Sequence, residues 1–333
     1  MPPEWQRHLR CWMAWPYRND LWHDLEAAQS GYAEVAKAIS EFEPVTMLVD
    51  PSARASAEAL CGDRVEYFLT TINDSWTRDS GPTFLTHKSG QSAGVCWRFN
   101  AWGNKHQPWF DDAKMADKVL RREQLTSYHS PLVFEGGAFH VDGQGTVITT
   151  EPVVLNDNRN PGLSRKEAEK EICLALGANK VIWLPGDWDE YETDGHVDGL
   201  LAFIKPGVVL FESNPDNSDP HSKVIKENLS ALEKSKDASG RRFEIIRIEE
   251  AFESRPVGEI FCRSYVNFYI ANGGIVAPKY NVPGDQRARE VLQKVFPDRK
   301  VVMVDVNDIA PGGGGIHCIT QQQPLVVNAD SEC

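Results

Sequence analysis

A thiol that follows four glycines is the first residue to weigh for chemistry. Gly312–Gly315, Ile316 and His317 lead directly to Cys318. Glycine backbone admits a close-approaching ligand and offers free N–H groups beside the sulfur, a setting able to support a thiolate. On local sequence alone, an inert thiol in a glycine-rich turn leading into a strand is an equal reading. Cys11, Cys61, Cys96, Cys173, Cys262 and Cys333 lack such a neighbourhood. Cys173 falls on the apolar face of a helical pattern, and Cys333 is terminal.

Thiol chemistry needs a proton donor and acceptor, most often a histidine. His-Val-Asp occurs twice, at His140–Asp142 and His196–Asp198. Residues two apart in an extended segment face the same side, so either pair could present an imidazole and a carboxylate together. In the first, Asp142 has an ordinary role in a turn. The second is flanked by Gly195 and Gly199 and is the preferred pair. His317 is expected on the opposite face of a strand from Cys318 and is the weaker partner.

Three carboxylates complete the set. Asp79 lies in Trp76-Thr77-Arg78-Asp79, where an Arg78–Asp79 ion pair and a carboxylate site for a planar cation are both open. Glu135 ends the apolar run Leu132–Phe134, just before Gly136 and Gly137. Asp198 belongs to the preferred His-Val-Asp. Each alone reads more readily as structure than as chemistry; together they surround one thiol and one imidazole.

His196, Asp198, His317 and Cys318 could be gathered into a mixed metal site, but no helical His-x3-His and no paired cysteines accompany them. No glycine-rich nucleotide motif with its acidic or Lys-Ser/Thr partner appears either. Neither a metal nor an organic cofactor is expected.

The elements that would position these residues alternate between helix and strand, an α/β class. Helical periodicity is clearest at Trp22–Phe42, at Ser164–Leu176 with its Ser-x-x-Glu start and Gly177 stop, and at Asp285–Phe296. Short β-rich runs lie between, among them Val65–Thr70, Thr146–Thr149, Val208–Phe211 and Val266–Ile270. Asp142–Gly145 and Lys205–Gly207 read as hairpin turns. The polar stretch Asn214–Gly240 reads as a loop with an exposed helix and not as a domain boundary.

Asp79, Glu135, His196, Asn267 and Cys318 lie 56, 61, 71 and 51 residues apart. Such steps suggest five supersecondary units that each deliver polar residues to one centre. Lys and Arg number 35 against 48 Asp and Glu, a net charge of −13, which disfavours a nucleic-acid partner and suits a small cationic one. No apolar run approaches the ~20 residues of a membrane span. Without an apolar leader at the N-terminus, a cytosolic protein with reduced thiols is expected.

At these segments the sequence resembles the agmatine deiminase family of guanidine-modifying enzymes. The matching pieces are Met13–Pro16, Trp76–Pro82, Phe99–Trp102, Glu135–Gly137, His140–Gly143, Asn158–Pro161, Gly195–Gly199, Ser264–Ile270 and Gly312–Gln322. The resemblance implies a five-bladed β/α propeller, or pentein, of ββαβ-type units, with residues 1–333 as a single catalytic domain. It implies hydrolysis of agmatine to N-carbamoylputrescine and ammonia, in polyamine synthesis, with Cys318 as nucleophile and His196, oriented by Glu135, as acid and base.

Asp79 and Asp198 would grip the guanidinium, Trp76 would wall the site, and Glu192 (with Glu190 as alternative) would meet the substrate amine. Homo-oligomers are implied as well. Other guanidines, including arginine and peptidyl-arginine, remain open, as does a non-catalytic guanidine-binding role. Family members usually carry Asp at Cys96 and Asn at Gly315, and Asn is common at Asp194, departures that bear on the choice of substrate.

Overall fold

The computed structural model describes residues 1–254 and 260–326 of the chain; Cys333 lies outside the described residues. Its strands form five separate small sheets. In the first, β1 (His8–Ala14), β2 (Val45–Val49) and β3 (Val65–Leu69) run parallel.

The next four sheets share one plan: an antiparallel pair, then a helix, then a strand parallel to the second of the pair. β4 (Thr83–Thr86) and β5 (Ser92–Arg98) take β6 (Thr126–Val133). β7 (Phe139–Val141) and β8 (Thr146–Thr150) take β9 (Lys180–Leu184). β10 (Leu201–Lys205) and β11 (Val208–Ser213) take β12 (Glu244–Glu249). β13 (Tyr269–Ala271) and β14 (Gly274–Lys279) take β15 (Lys300–Asp305). β16 (Gln321–Pro324) returns to pair antiparallel with β1, which gives the first sheet the same plan from the two ends of the sequence.

The helices explain themselves locally. Leu25–Ser40 starts three residues later than the apolar pattern because the Asp24 side chain accepts the Ala27 N–H and caps it. Its buried face carries Ala28, Tyr32, Val35, Ala36 and Ile39. Arg165–Leu176 has the full Ser164–Glu167 capping box and ends on Gly177 at φ 63°. Cys173 is half-buried and not on that helix's buried face. Helix Pro220–Lys234, capped by Asp219, packs Ile225, Leu229 and Leu232 inward, so the polar stretch around it hides a buried face that an exposed helix would lack.

Several strands escape the sequence pattern, β1, β4, β5, β6, β7 and β16 among them. The run Val266–Ile270 becomes a strand only from Tyr269, because Tyr265–Val266 form a turn and Asn267 and Phe268 follow it outside any ladder. The two expected hairpin turns join β7 to β8 and β10 to β11.

Candidate active site

Cys318 sits in a buried turn just before β16, not in a strand. Its Sγ lies 3.5 Å from Asp198 Oδ2, and Asn267 Nδ2 donates to it at 3.2 Å. Asn267 Oδ1 in turn accepts the backbone N–H of His317 at 3.0 Å. The Arg78 N–H donates to the Cys318 carbonyl at 3.1 Å and Arg78 Nε to that of His317 at 3.3 Å. The turn is therefore held from two sides.

The glycines before it admit close neighbours. A Cβ on Gly314 would lie 2.4 Å from the Trp76 ring and 2.9 Å from Cys318 Cβ. Trp76 stacks on Trp22 at 5.6 Å, beneath this loop. A Cβ on Gly315 would lie 2.7 Å from Asn267 Oδ1, so Asn267 occupies the space a side chain would need there.

His196 and Asp198 do not share a strand face; Val197–Gly199 form a 3-10 turn that sends them to different partners. His196 Nε2 is 3.3 Å from Glu135 Oε2, and its Nδ1 is 3.8 Å from Asp79 Oδ1. That Nδ1 is buried and without a hydrogen-bond partner among the described residues. His317 does not point away from Cys318: its Nδ1 lies 2.8 Å from Asp198 Oδ2, the same oxygen the thiol faces. On its other side, Nε2 lies 2.9 Å from Glu4 Oε1.

Glu135, fully buried, accepts from Arg159 Nε at 2.7 Å. Asp79 accepts the Gly137 N–H and Trp102 Nε1–H, each at 2.9 Å. Asp79 makes no ion pair with Arg78, which turns instead to Glu4 at 3.3 Å.

These carboxylates and rings set one another's protonation. Burial would lower the His196 pKa, but Asp79, Glu135 and Asp198 outweigh it and hold the imidazole at about 9. Burial raises the Asp79 carboxyl. Burial opposes ionisation of Glu135 and Asp198 as well, yet Arg159 and His196 hold the first below its ordinary value, and His317 the second. The Cys318 thiol is pushed well above 9, by burial and then by Asp198, which outweigh the Gly315 N–H that favours the thiolate. The glycine loop alone does not make a thiolate here. A planar cation beside the sulfur would offset both adverse effects.

The site opens on a cavity of about 500 Å³ whose lining includes Cys318, His196, Asp198, Asn267 and Glu192. Glu190 and Glu192 part company in it. Glu190 Oε1 accepts the N–H of Glu192, and Oε2 accepts those of Thr193 and Gly195, so it shapes the loop. Glu192 Oε1 meets His106 Nε2 at 2.9 Å, and its Oε2 is buried without a hydrogen-bond partner among the described residues.

Asp194 adopts φ 61° and is matched by Arg159 Nη1 at 2.5 Å, Lys105 Nζ at 3.0 Å and Asn158 Nδ2 at 3.0 Å, so its charge is compensated. Cys96 lines a separate cleft and contacts Asp117 at 3.8 Å, away from the catalytic cavity.

Sequence reasoning left Trp102, Arg159 and Glu4 without a role, named Asn267 only among the spaced polar residues, and ranked His317 as the weaker partner of Cys318. Trp102, Arg159, Asn267 and His317 all lie inside segments that carried the resemblance. His317 was set aside by a strand argument that the turn at 316–319 removes. Glu4 gave no signal at all.

Among known proteins, the model of the Porphyromonas-type peptidyl-arginine deiminase family matches residues 1–324. An agmatine deiminase of Pseudomonas aeruginosa is 42% identical over 97% of this chain and 95% of its own length. That of Ectopseudomonas mendocina has the same identity and coverage. The agmatine deiminase structure of Enterococcus faecalis superposes with a TM-score of 0.95 at 36% identity, covering 98% of this chain and 96% of that one.

Proposed function

The chain belongs to the Porphyromonas-type peptidyl-arginine deiminase family and, within it, to the agmatine deiminases, and from that premise we propose that it hydrolyses agmatine to N-carbamoylputrescine and ammonia through an amidino-cysteine intermediate. One observation carries the substrate: a single cavity holds a thiol with its acid–base partner and, in Glu192, a buried carboxylate oxygen left free for a cation.

The guanidinium lies between Asp79 and Asp198, whose oxygens match its forked N–H donors. Its charge favours loss of the Cys318 proton to solvent water, and the resulting thiolate attacks the central carbon. His196 gives its proton to the leaving nitrogen, which departs as ammonia. The neutral imidazole then takes a proton from water as the oxygen adds to the amidino carbon. Collapse breaks the C–S bond and releases the ureido product. Glu135 and Arg159 hold His196 in place, and His317 with Glu4 fixes Asp198.

The five sheets of like plan support a five-bladed propeller fold in one domain. Putrescine synthesis, a cytoplasmic setting and assembly into homo-oligomers belong to the same reading. Light scattering on the purified protein tests the last.

The test of substrate is ammonia release from agmatine, free arginine and a blocked arginine peptide. Turnover of agmatine in preference to the others is expected, since Glu192 repels an α-carboxylate. Preference for the peptide would favour peptidyl-arginine, the activity in the family's own description. Silence on all three would favour a binding role.

Two substitutions sharpen this. Glu192→Gln is expected to raise the KM for agmatine by about 10- to 100-fold, the worth of one charge-assisted hydrogen bond, with little change for arginine. Equal losses on both substrates would remove the amine role of Glu192. Gly137→Ala tests geometry with every catalytic group intact. Its Cβ would lie 2.7 Å from His196 Nδ1, 2.8 Å from Asp79 Oδ1 and 2.9 Å from Asp198 Oδ2. A fall in kcat of about 100-fold, the cost of misplacement by about 1 Å, is expected. Full activity in a folded variant would mean these three side chains need not converge.

A further inference from the structure

We propose that Glu212, His221 and Glu250 form a binding site for one divalent transition-metal ion of the zinc class, in the wall of the catalytic cavity. Three elements bring these residues together. Glu212 comes from β11, His221 from the first turn of helix Pro220–Lys234, and Glu250 directly follows β12. One imidazole nitrogen and two carboxylate oxygens lie within 4.8 Å of one another. All three residues line the cavity that Cys318 faces, yet none serves the deimination described above.

The two separations from His221 suit a metal ion. His221 Nε2 is 3.5 Å from Glu212 Oε1 and 3.9 Å from Glu250 Oε2. Ligand atoms bound tetrahedrally at zinc distances sit about 3.4 Å apart. Acceptors arranged around an ammonium nitrogen at hydrogen-bond distance would sit about 4.6 Å apart.

A second observation points to a missing partner. Glu212 is 97% buried, with 3% of its surface exposed, and its Oε2 has no hydrogen-bond partner among the described residues. A buried carboxylate oxygen of that kind is open to a cation.

The surroundings orient the donors as a metal site requires. Glu250 Oε1 is held by Asn214 Nδ2 at 2.5 Å and Arg263 Nη2 at 3.2 Å, which leaves Oε2 toward His221. Asp219 pairs with Arg263 at 3.0 Å. Three carboxylates, Glu212, Glu250 and Asp219, thus gather around the one Arg263 guanidinium, an acidic wall that suits a divalent ion. The donors, one imidazole nitrogen and two carboxylate oxygens, are of the types that bind zinc and would leave positions open to water.

The experiment titrates Zn²⁺ into the chelator-treated full-length protein against a chromophoric zinc indicator. It uses a Cys318→Ala background so that the catalytic thiol cannot compete. One tight equivalent is expected, with a rise in melting temperature. His221→Ala should weaken binding at least tenfold, and its half-exposed side chain makes a folding failure unlikely to confuse the result; circular dichroism checks this. Glu212→Gln should do the same. His129→Ala, in the separate surface group Cys96–Asp117–His129, should leave the equivalent unchanged.

Absence of a bound equivalent, or an equivalent indifferent to His221→Ala, overturns the site. A raised KM for agmatine in the His221→Ala and Glu212→Gln single variants, with no zinc bound in the parent, also overturns it and makes the cluster an amine subsite. Neither result touches the deiminase reading, which agmatine turnover by the wild-type protein tests separately.

Discussion

Cys318→Ala is expected to lower agmatine turnover by roughly 10⁴-fold or more while the protein stays folded, because Cys318 carries the thiol held against Asp198 and Asn267. The stability cost should be small, about 1 kcal/mol, since the change removes one sulfur and the hydrogen bond it accepts from Asn267. Ammonia release and urea denaturation check the two halves. Full turnover in the variant would remove the covalent mechanism. Loss of both activity and fold would mean that the turn needs the sulfur for structure.

The same residue predicts how the free enzyme looks. With its pKa well above 9, Cys318 is a thiol at neutral pH, so alkylation by iodoacetamide should be slow and thiolate absorbance absent. A guanidinium ligand that cannot react should bring that absorbance up. An unreactive thiol in the free protein is thus what this site predicts, and it does not argue for a non-catalytic role.

His196→Asn is the second large effect, a fall of about 10²- to 10⁴-fold as the acid and base are lost together. Its sharper signature is in pH. His196 titrates at about 9, so the wild-type kcat/KM should decline on the alkaline side around that value, as the proton needed by the leaving nitrogen is lost. The variant should lose that limb.

Stability should move with it. The folded-state pKa stands above the ordinary histidine value of 6.5, so this contribution is complete below pH 6.5 and fades as pH rises through about 9. Wild-type and variant stabilities should converge at alkaline pH. An alkaline limb that persists in His196→Asn would assign it to another group.

Much of this was legible in the sequence because the signals were local. A capping box, glycine stops and turn dipeptides fixed helix Arg165–Leu176 and the β7–β8 and β10–β11 hairpins. Cys318, His196 and Glu135 stood out through their glycine neighbours. What escaped was set by distant pairing. Gln321–Pro324 has no β signature of its own and is a strand because β1 supplies its ladder. His196 and Asp198 converge through a 3-10 turn and not through strand alternation, a geometry that spacing does not encode. Glu4 acquires meaning only when folding brings it beneath His317, 313 positions away.

That late-arriving strand has a consequence for how the protein comes into being on the ribosome. His8 pairs with Pro324, so the first sheet closes a span of more than 300 residues, and the turn bearing Cys318 is held between that closing strand and Asn267. Local helices and the four internal sheets can form as the chain emerges. The nucleophile cannot be set until β16 has been made and has found β1, the slowest kind of contact to form. A nascent chain that stops short of Gln321 should fold most of its mass and yet catalyse nothing, so deiminase activity awaits the synthesis of β16.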